Sequence, residues 1–546
     1  MHPAGPIPLR PPSEVMTPEA LGAMHQTRLS FMRALLRRLK DEGWSVHRTL
    51  FECDAAGVGR ATYEARGPER TYTLVAFAKD LPADLRSDRV IATDWDASFT
   101  LFDGVPNEAD LSRLAAEVPL QENARLTGRE LVLSRANRSV RLFEHVVERL
   151  AEGRQPDPEM LETGYLMRTT AVYGSGKFGC ADRASYAGRP ELSGPFRAEM
   201  LAVWLIRAFV ADLAEGMARA RNAAAAVLAP AARRSLGIGN STGLGMAPFL
   251  MNHPALLHAW TLARETALAR VRGLEGLLPG TEGLYRGRLA AFARLARGWR
   301  TADAEQARRT EGLIADLERL SQMPLDGPRP WDRLWRRADL TPEGRSALLT
   351  LMLEPHGDLV DELADGMSAD EGACFRIDGS QSCAGLRAVI ERAYPWALST
   401  DWEAPEAQAR CWYVSEEKLE PRLGERASEP IAPYERPVQP GRDAARLHAA
   451  LPEDGTVADF LEGHPEHRHA VRRAQIAATR PYAEVWGNTI HAALRPVDLL
   501  RAKLSMFGAT QFDPRSDRWL RIAMYRGAPY PHELADADEG WVWPAS

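Results

Sequence analysis

Lysine is scarce in this chain. Of 68 basic residues only five are lysine, namely Lys40, Lys79, Lys177, Lys418 and Lys503, and the remainder are arginine. Such a bias is what a GC-rich genome produces where either cation serves. A lysine that persists is expected where arginine cannot substitute, because only lysine readily loses its proton or forms a Schiff base.

Cysteine is equally sparse. Cys53, Cys180, Cys374, Cys383 and Cys411 show no C-x-x-C spacing, which excludes a cysteine-based zinc ribbon and fits a reducing, cytoplasmic setting. Long apolar runs are absent. The most apolar helical stretch, residues 200–211, already contains Arg207 and is flanked by Glu199 and Asp212, so it reads as a buried core helix and not a membrane span. The opening MHPAGPIPLRPPSEV has no apolar segment of the signal-peptide kind. Positive charge is not in excess either: a net charge of -6 argues against non-specific nucleic-acid binding as the main activity.

A length of 546 residues predicts two to four domains. Residues 1–16 are expected to be a flexible N-terminal segment. Residues 17–152 read as an α+β region: a helix over 17–43, strand-like runs such as GRATYEARG, RTYTLVAFA and ASFTLFDG, and a closing helix near 139–152. Residues 160–402 read as a helical core, with one long helix over 195–235 and others near 254–272, 281–297, 302–320 and 342–353. A Pro-rich linker or wrapping loop spans 403–442, and a C-terminal helical segment spans 443–546. The expected fold class is therefore mainly α, a helical-bundle-like core with a smaller α+β N-terminal region containing an antiparallel sheet.

Four stretches carry candidate chemistry. The first is Gly174-Ser175-Gly176-Lys177-Phe178-Gly179. A dinucleotide fingerprint needs a helix directly after the glycines, and CADRASYAGRPELSGP is too rich in Gly and Pro to supply one. A P-loop needs Ser or Thr after the lysine, where this chain has Phe178. A kinase glycine loop needs V-A-I-K, H-R-D and D-F-G partners that the chain lacks. What remains is a turn whose backbone N–H groups form an anion nest, with Lys177 at its tip. The alternative is a glycine turn required for close packing, with Lys177 in solvent.

The second stretch, 237–245 (GIGNSTGLG), sets Asn240, Ser241 and Thr242 among glycines, including Gly239, where a backbone can approach a ligand closely. A helix C-cap after Arg233-Arg234-Ser235 is the competing reading. The third places Trp486, Asn488, Thr489 and His491 ahead of a helix starting near Pro496. Asp498 and Arg501 share a face of that helix, and Lys503 lies on a different side. Burial beside Leu500, Leu504 and Phe507 would depress the Lys503 pKa and suit it to act as a base; a lysine snorkelling to solvent is the alternative. In the fourth, Ser380 or Ser382 caps a helix whose first turn holds Cys383, either as an activated thiolate or as a small buried side chain.

No metal site is expected: His464, His467 and His469 have no carboxylate motif of ligand spacing beside them. No motif calls for a cofactor, although the sequence leaves a bound flavin or pyridoxal phosphate open. These features together point to an enzyme acting on a small anionic, carboxylate-bearing substrate by lysine-assisted acid/base chemistry of lyase, isomerase or hydrolase type. Lys177, Lys503, Cys383 and His491 are the candidate catalytic groups. Gly174, Ser175, Gly176, Gly179, Gly239, Asn240, Ser241, Thr242, Trp486, Asn488, Thr489 and Arg501 are the candidate binding groups. The sequence is compatible with a homo-oligomer. Two other classes compete with this reading: a non-catalytic ligand- or nucleotide-binding helical scaffold, and an Arg-rich RNA-binding protein of which RLWRR at 333–337 would be a part.

Overall fold

The structure, a computed structural model, describes residues 6–82, 94–120, 127–162, 164–174, 188–240, 254–367, 376–405, 412–415, 422–423, 435–438, 440–485, 496–509, 511–513 and 521–543. The chain divides into two compact units. A sheet unit is made of Ser30–Gly243, Phe507–Pro514 and Leu520–Ser546. A helical unit is made of Met1–Leu29, Leu244–Met506 and Arg515–Trp519.

In chain order the strands of the sheet unit begin with β1 (Ser45–Cys53), β2 (Gly59–Arg66), β3 (Thr71–Ala78), β4 (Ala97–Asp103), β5 (Glu130–Arg138), β6 (Tyr165–Gly174) and β7 (Gly237–Asn240). A separate three-stranded sheet in the helical unit holds β8 (Trp412–Ser415), β9 (Arg422–Leu423) and β10 (Glu435–Val438). Last come β11 (Gln511–Asp513) and β12 (Arg521–Met524), which return to the first sheet.

That sheet has nine strands in the order β1-β2-β3-β4-β5-β6-β7-β12-β11. Every pairing in it is antiparallel except β6 with β7, which is parallel. The expected small antiparallel sheet confined to the N-terminal region is thus overturned. The helices are there, but the sheet is large and mixed, and it recruits strands from the second Gly-rich stretch and from the C-terminal region. The physical reason is length. Strands of three or four residues carry no readable alternation, and β7 and β12 find each other across nearly three hundred positions.

The Arg197–Arg221 helix is the centre of this unit. Over residues 200–211 its sequence is apolar on every side except at Arg207, and such a stretch must be enclosed all round. The sheet does so by curling, so that this one helix touches every strand from β1 to β7. Arg207, the charge inside it, donates to the backbone carbonyls of Leu236 (2.7 Å) and Ala528 (2.8 Å) and lies 4.0 Å over the Tyr530 ring. The other face of β3–β5 is covered by the Glu108–Glu117 helix, with Leu111 and Leu114 packed on Val75, Phe102 and Leu133. Burial on both faces explains why β5 (ELVLSRANR) shows no alternation in sequence.

The helical unit is built around the Pro254–Arg272 helix, which packs against the Pro330–Arg337, Pro342–Leu353 and Arg468–Thr479 helices. Side-chain caps fix several helix starts: Asp303 accepts from Gln306 N (2.8 Å) and Thr341 from Gly344 N (3.1 Å). The expected single helix over 17–43 is two helices, Pro18–Leu21 and Phe31–Asp41, which belong to different units. The break falls where Gly22 passes so close to Arg501 that an added Cβ would stand 2.6 Å from the arginine Cβ.

Candidate functional site

In the sheet unit the two Gly-rich stretches begin on neighbouring strands. Gly174 is the last residue of β6, and Gly239 and Asn240 are the last two of β7. The pairing is parallel, with Arg168 opposite Gly239 and Thr169 opposite Asn240, so both strands run in the same direction, but β6 continues past the end of β7 to Gly174. The antiparallel β12 starts at that end with Arg521, and β11 finishes there with Asp513. Ser175, Gly176, Lys177, Gly179, Ser241 and Thr242 lie outside the described residues. In open sheets, ligands commonly bind beyond the carboxyl ends of parallel strands, where backbone N–H groups are not consumed by the ladder.

Two of the glycines have a packing reason of their own. A Cβ on Gly239 would sit 2.6 Å from the Tyr165 ring, and one on Gly237 would sit 2.4 Å from the Met524 carbonyl oxygen. Both are therefore required by the sheet itself.

Arg501 and Lys503 share the Pro496–Phe507 helix of the helical unit. Arg501 is consumed by a buried ionic network. Its Nη1 donates to Asp498 (3.1 Å) and Glu343 (3.3 Å) and its Nη2 to Gln306 (2.8 Å), while Arg309 holds Asp498 from the other side at 2.6 Å. That geometry gives Arg501 a structural task and leaves it little capacity to grip a ligand. Lys503 is 1% exposed, and burial lowers its pKa from 10.5 to about 7. A lysine titrating near neutrality is suited to donate and accept protons in turn.

Cys383 opens the Cys383–Ala393 helix, capped by Ser382, whose hydroxyl accepts from Gly385 N at 3.0 Å. The thiol is buried among Leu386, Ile390, Val457 and Phe460. Burial raises its pKa, Asp459 adds to the rise and Arg387 offsets part of it. In this position the side chain packs as a small hydrophobe, and the helix dipole does not overcome desolvation. Trp486, Asn488, Thr489 and His491 lie outside the described residues.

A site that the sequence did not reveal lies in the helical unit, between the Pro254–Arg272 and Pro342–Leu353 helices and the N-terminal segment. It is a cavity of about 400 Å³. Its lining includes Arg10, Trp260, Arg264, Arg345, Leu349 and Thr350. Glu265, fully buried, anchors the arginines. Arg10 binds it in a two-pronged fashion (2.8 and 2.9 Å), and Arg264 Nε donates to it at 2.9 Å. Burial works to raise the Glu265 pKa, but the Arg264 and Arg10 guanidiniums outweigh it and hold the carboxyl below its ordinary range. Arg264 Nη1 donates to the Ala20 carbonyl (3.0 Å), and its guanidinium lies 5.0 Å over the Trp260 ring. Next to the cluster, Tyr482 donates its hydroxyl to the Arg10 carbonyl (2.8 Å) and its backbone N–H to His258 Nδ1 (3.3 Å). The readable signal was Trp260 and Arg264, four residues apart on a helix otherwise apolar on that face. Arg10 was unreadable, because its partner stands 255 positions away.

Comparison with protein-family models, curated proteins and solved structures finds no match to this chain. Among the described residues no helix is long and apolar enough to cross a membrane.

Proposed function

We propose that the chain is an enzyme acting on a small anionic, carboxylate-bearing substrate by lysine-assisted acid/base chemistry of the lyase, isomerase or hydrolase type. The observation that carries this reading is the parallel pairing of β6 and β7, through which both Gly-rich stretches leave neighbouring strands of the sheet unit in the same direction. Backbone N–H groups following Gly174 and Asn240 bind the anion, and Lys177, in the first of these stretches, transfers the proton or clamps the developing charge; Lys503 is the acid/base candidate of the helical unit. The burial of Lys503 and its pKa of about 7 support the acid/base part.

The test is a turnover screen of small carboxylic and phosphorylated acids with the intact protein, Lys177→Arg and Lys503→Met. General acid/base groups contribute on the order of 100-fold or more, so at least one variant should lose that much kcat on the substrate found. Binding is read separately. The whole chain has five lysines, so reductive ¹³C-methylation gives a sparse spectrum in which the Lys177 signal is assigned by its loss in Lys177→Arg. Full activity in both variants, or a Lys177 signal that no acid in the screen displaces, would sink the reading.

One observation favours a second reading. Because Gly237 and Gly239 are required for packing against Met524 and Tyr165, part of the glycine enrichment is explained without a ligand. A non-catalytic ligand-binding scaffold would then show binding of an acid with no turnover in any variant.

A further inference from the structure

We infer that the cavity between the Pro254–Arg272 and Pro342–Leu353 helices is a binding site for a small organic carboxylate with an apolar body, carried by three lining residues, Arg264, Trp260 and Thr350, each of which has one buried polar atom without a partner.

Arg264 Nη2, Trp260 Nε1 and Thr350 Oγ1 are each buried and have no hydrogen-bond partner among the described residues. All three residues are at least nine-tenths buried and line the one cavity. Folded proteins leave few such groups unsatisfied, and three at one cavity call for a ligand that supplies acceptors. Two of the atoms, the guanidinium and indole nitrogens, are donors only, and the hydroxyl can donate as well, which matches the acceptor-only character of a carboxylate. Charge disfavours anything beyond a monoanion. Two guanidiniums, Arg10 and Arg264, share the buried carboxylate of Glu265, and Arg10 also reaches the exposed Glu14 at 3.4 Å, so the spare donor capacity lies at Arg264. The other carboxylates of the lining, Glu14 and Glu19, are exposed and half-buried, and they oppose a dianion. Arg345 is committed to the carbonyls of Trp335 (2.5 Å) and Ala338 (2.6 Å). The remaining walls combine apolar Ala20, Ala23, Pro342 and Leu349 with the hydroxyl residues Thr17, Thr27, Ser346 and Ser505, and the volume of about 400 Å³ falls within the range of small-molecule pockets. The site contains neither Gly-rich stretch nor Lys503, so it stands whether or not the proposed enzymatic reading does.

The test is calorimetric titration of the full-length protein with benzoate and hexanoate, with benzamide as the uncharged control and inorganic phosphate as the compact dianion. Benzoate or hexanoate should bind one to one, and benzamide roughly tenfold more weakly or not at all. Thr350→Val keeps the shape and removes a hydroxyl unpartnered in the free protein. It should leave the ligand-free melting temperature unchanged or higher while weakening binding roughly fivefold. Arg264→Gln should weaken it roughly tenfold or more. A purely structural role for Thr350 predicts no change in binding, which makes this variant decisive even if Arg264→Gln is poorly folded. The inference is overturned if neither carboxylate binds up to roughly 10 mM, if benzamide or phosphate binds as well as benzoate, or if Thr350→Val binds like the parent protein.

Discussion

Replacing Lys503 with methionine should make the protein more stable, and by an amount that depends on pH in a defined way. The native pKa is about 7 against 10.5 for an unburied lysine, and burial is the cause. Above pH 10.5 the group is neutral in both states and costs nothing. Between 10.5 and 7 the unfolded chain binds a proton that the native protein does not, so stability rises with pH across this window. Below 7 both states are protonated and the native protein carries the full cost of a buried ammonium. At about 1.4 kcal/mol per pKa unit, the whole gap amounts to about 5 kcal/mol. Lys503→Met keeps the volume and removes the charge. Its advantage over the parent in urea unfolding should therefore approach about 5 kcal/mol near pH 6 and shrink by about 1.4 kcal/mol per pH unit up to pH 10. Lys503→Arg, which cannot shed its proton, should be less stable than the parent throughout this range. A parent-to-methionine difference that stays flat from pH 7 to 10, or a methionine variant less stable at pH 6, would refute the argument.

Other outcomes follow from geometry. Gly239→Ala forces a methyl to within 2.6 Å of the Tyr165 ring and should cost about 1–3 kcal/mol, read as a lower thermal midpoint for the sheet unit. Arg501→Met strands Asp498, Glu343 and Gln306 around a vacated buried position, and a loss of about 3–5 kcal/mol in chemical denaturation is expected. Burial lowers the pKa of both His258 and His356 from 6.5 to about 4, so each leaves the native state short of a proton that the unfolded chain binds below pH 6.5. Stability should fall as pH drops from 6.5 to 4, at up to about 1.4 kcal/mol per unit for each histidine, and His356→Phe should flatten the profile measured by acid titration of the circular dichroism signal.

The long helices were readable because each carries its own instructions, except that the helix expected over 195–235 stops at Arg221 and a second one, Pro230–Ser235, follows. Thr341, Asp303 and Ser382 accept hydrogen bonds from the first turns they precede, and these caps sit a few residues from the helices they start. The apolar stretch at 200–211 correctly announced an enclosed helix. The sheet that encloses it was not readable in full. β7 and β12 are four residues each and β11 is three, and the pairing of β7 with β12 joins positions nearly three hundred apart. Of the candidate site, the shared face of Asp498 and Arg501 and the first-turn position of Cys383 were legible as local spacing. That Arg501 is spent on Glu343 and Gln306, and that burial lifts the Cys383 thiol, depended on elements packed from elsewhere. The cavity at Arg264 was hidden for the same reason: an arginine in a buried helix face means little until its missing partner is seen.

The pairing of β7 with β12 also bears on how the protein is made. Gly239 lies opposite Ala523, and almost the whole helical unit is encoded between them. During synthesis, β7 emerges as an open edge next to β6 and stays uncovered until residues 521–524 arrive. At about 5–20 residues per second, that interval is roughly 15–60 s. For that time the nascent chain presents an unpaired strand of the kind that recruits other chains. Ribosome-bound intermediates ending between residues 245 and 520 are thus the forms most exposed to aggregation, and the natural clients of a chaperone that shields strand edges.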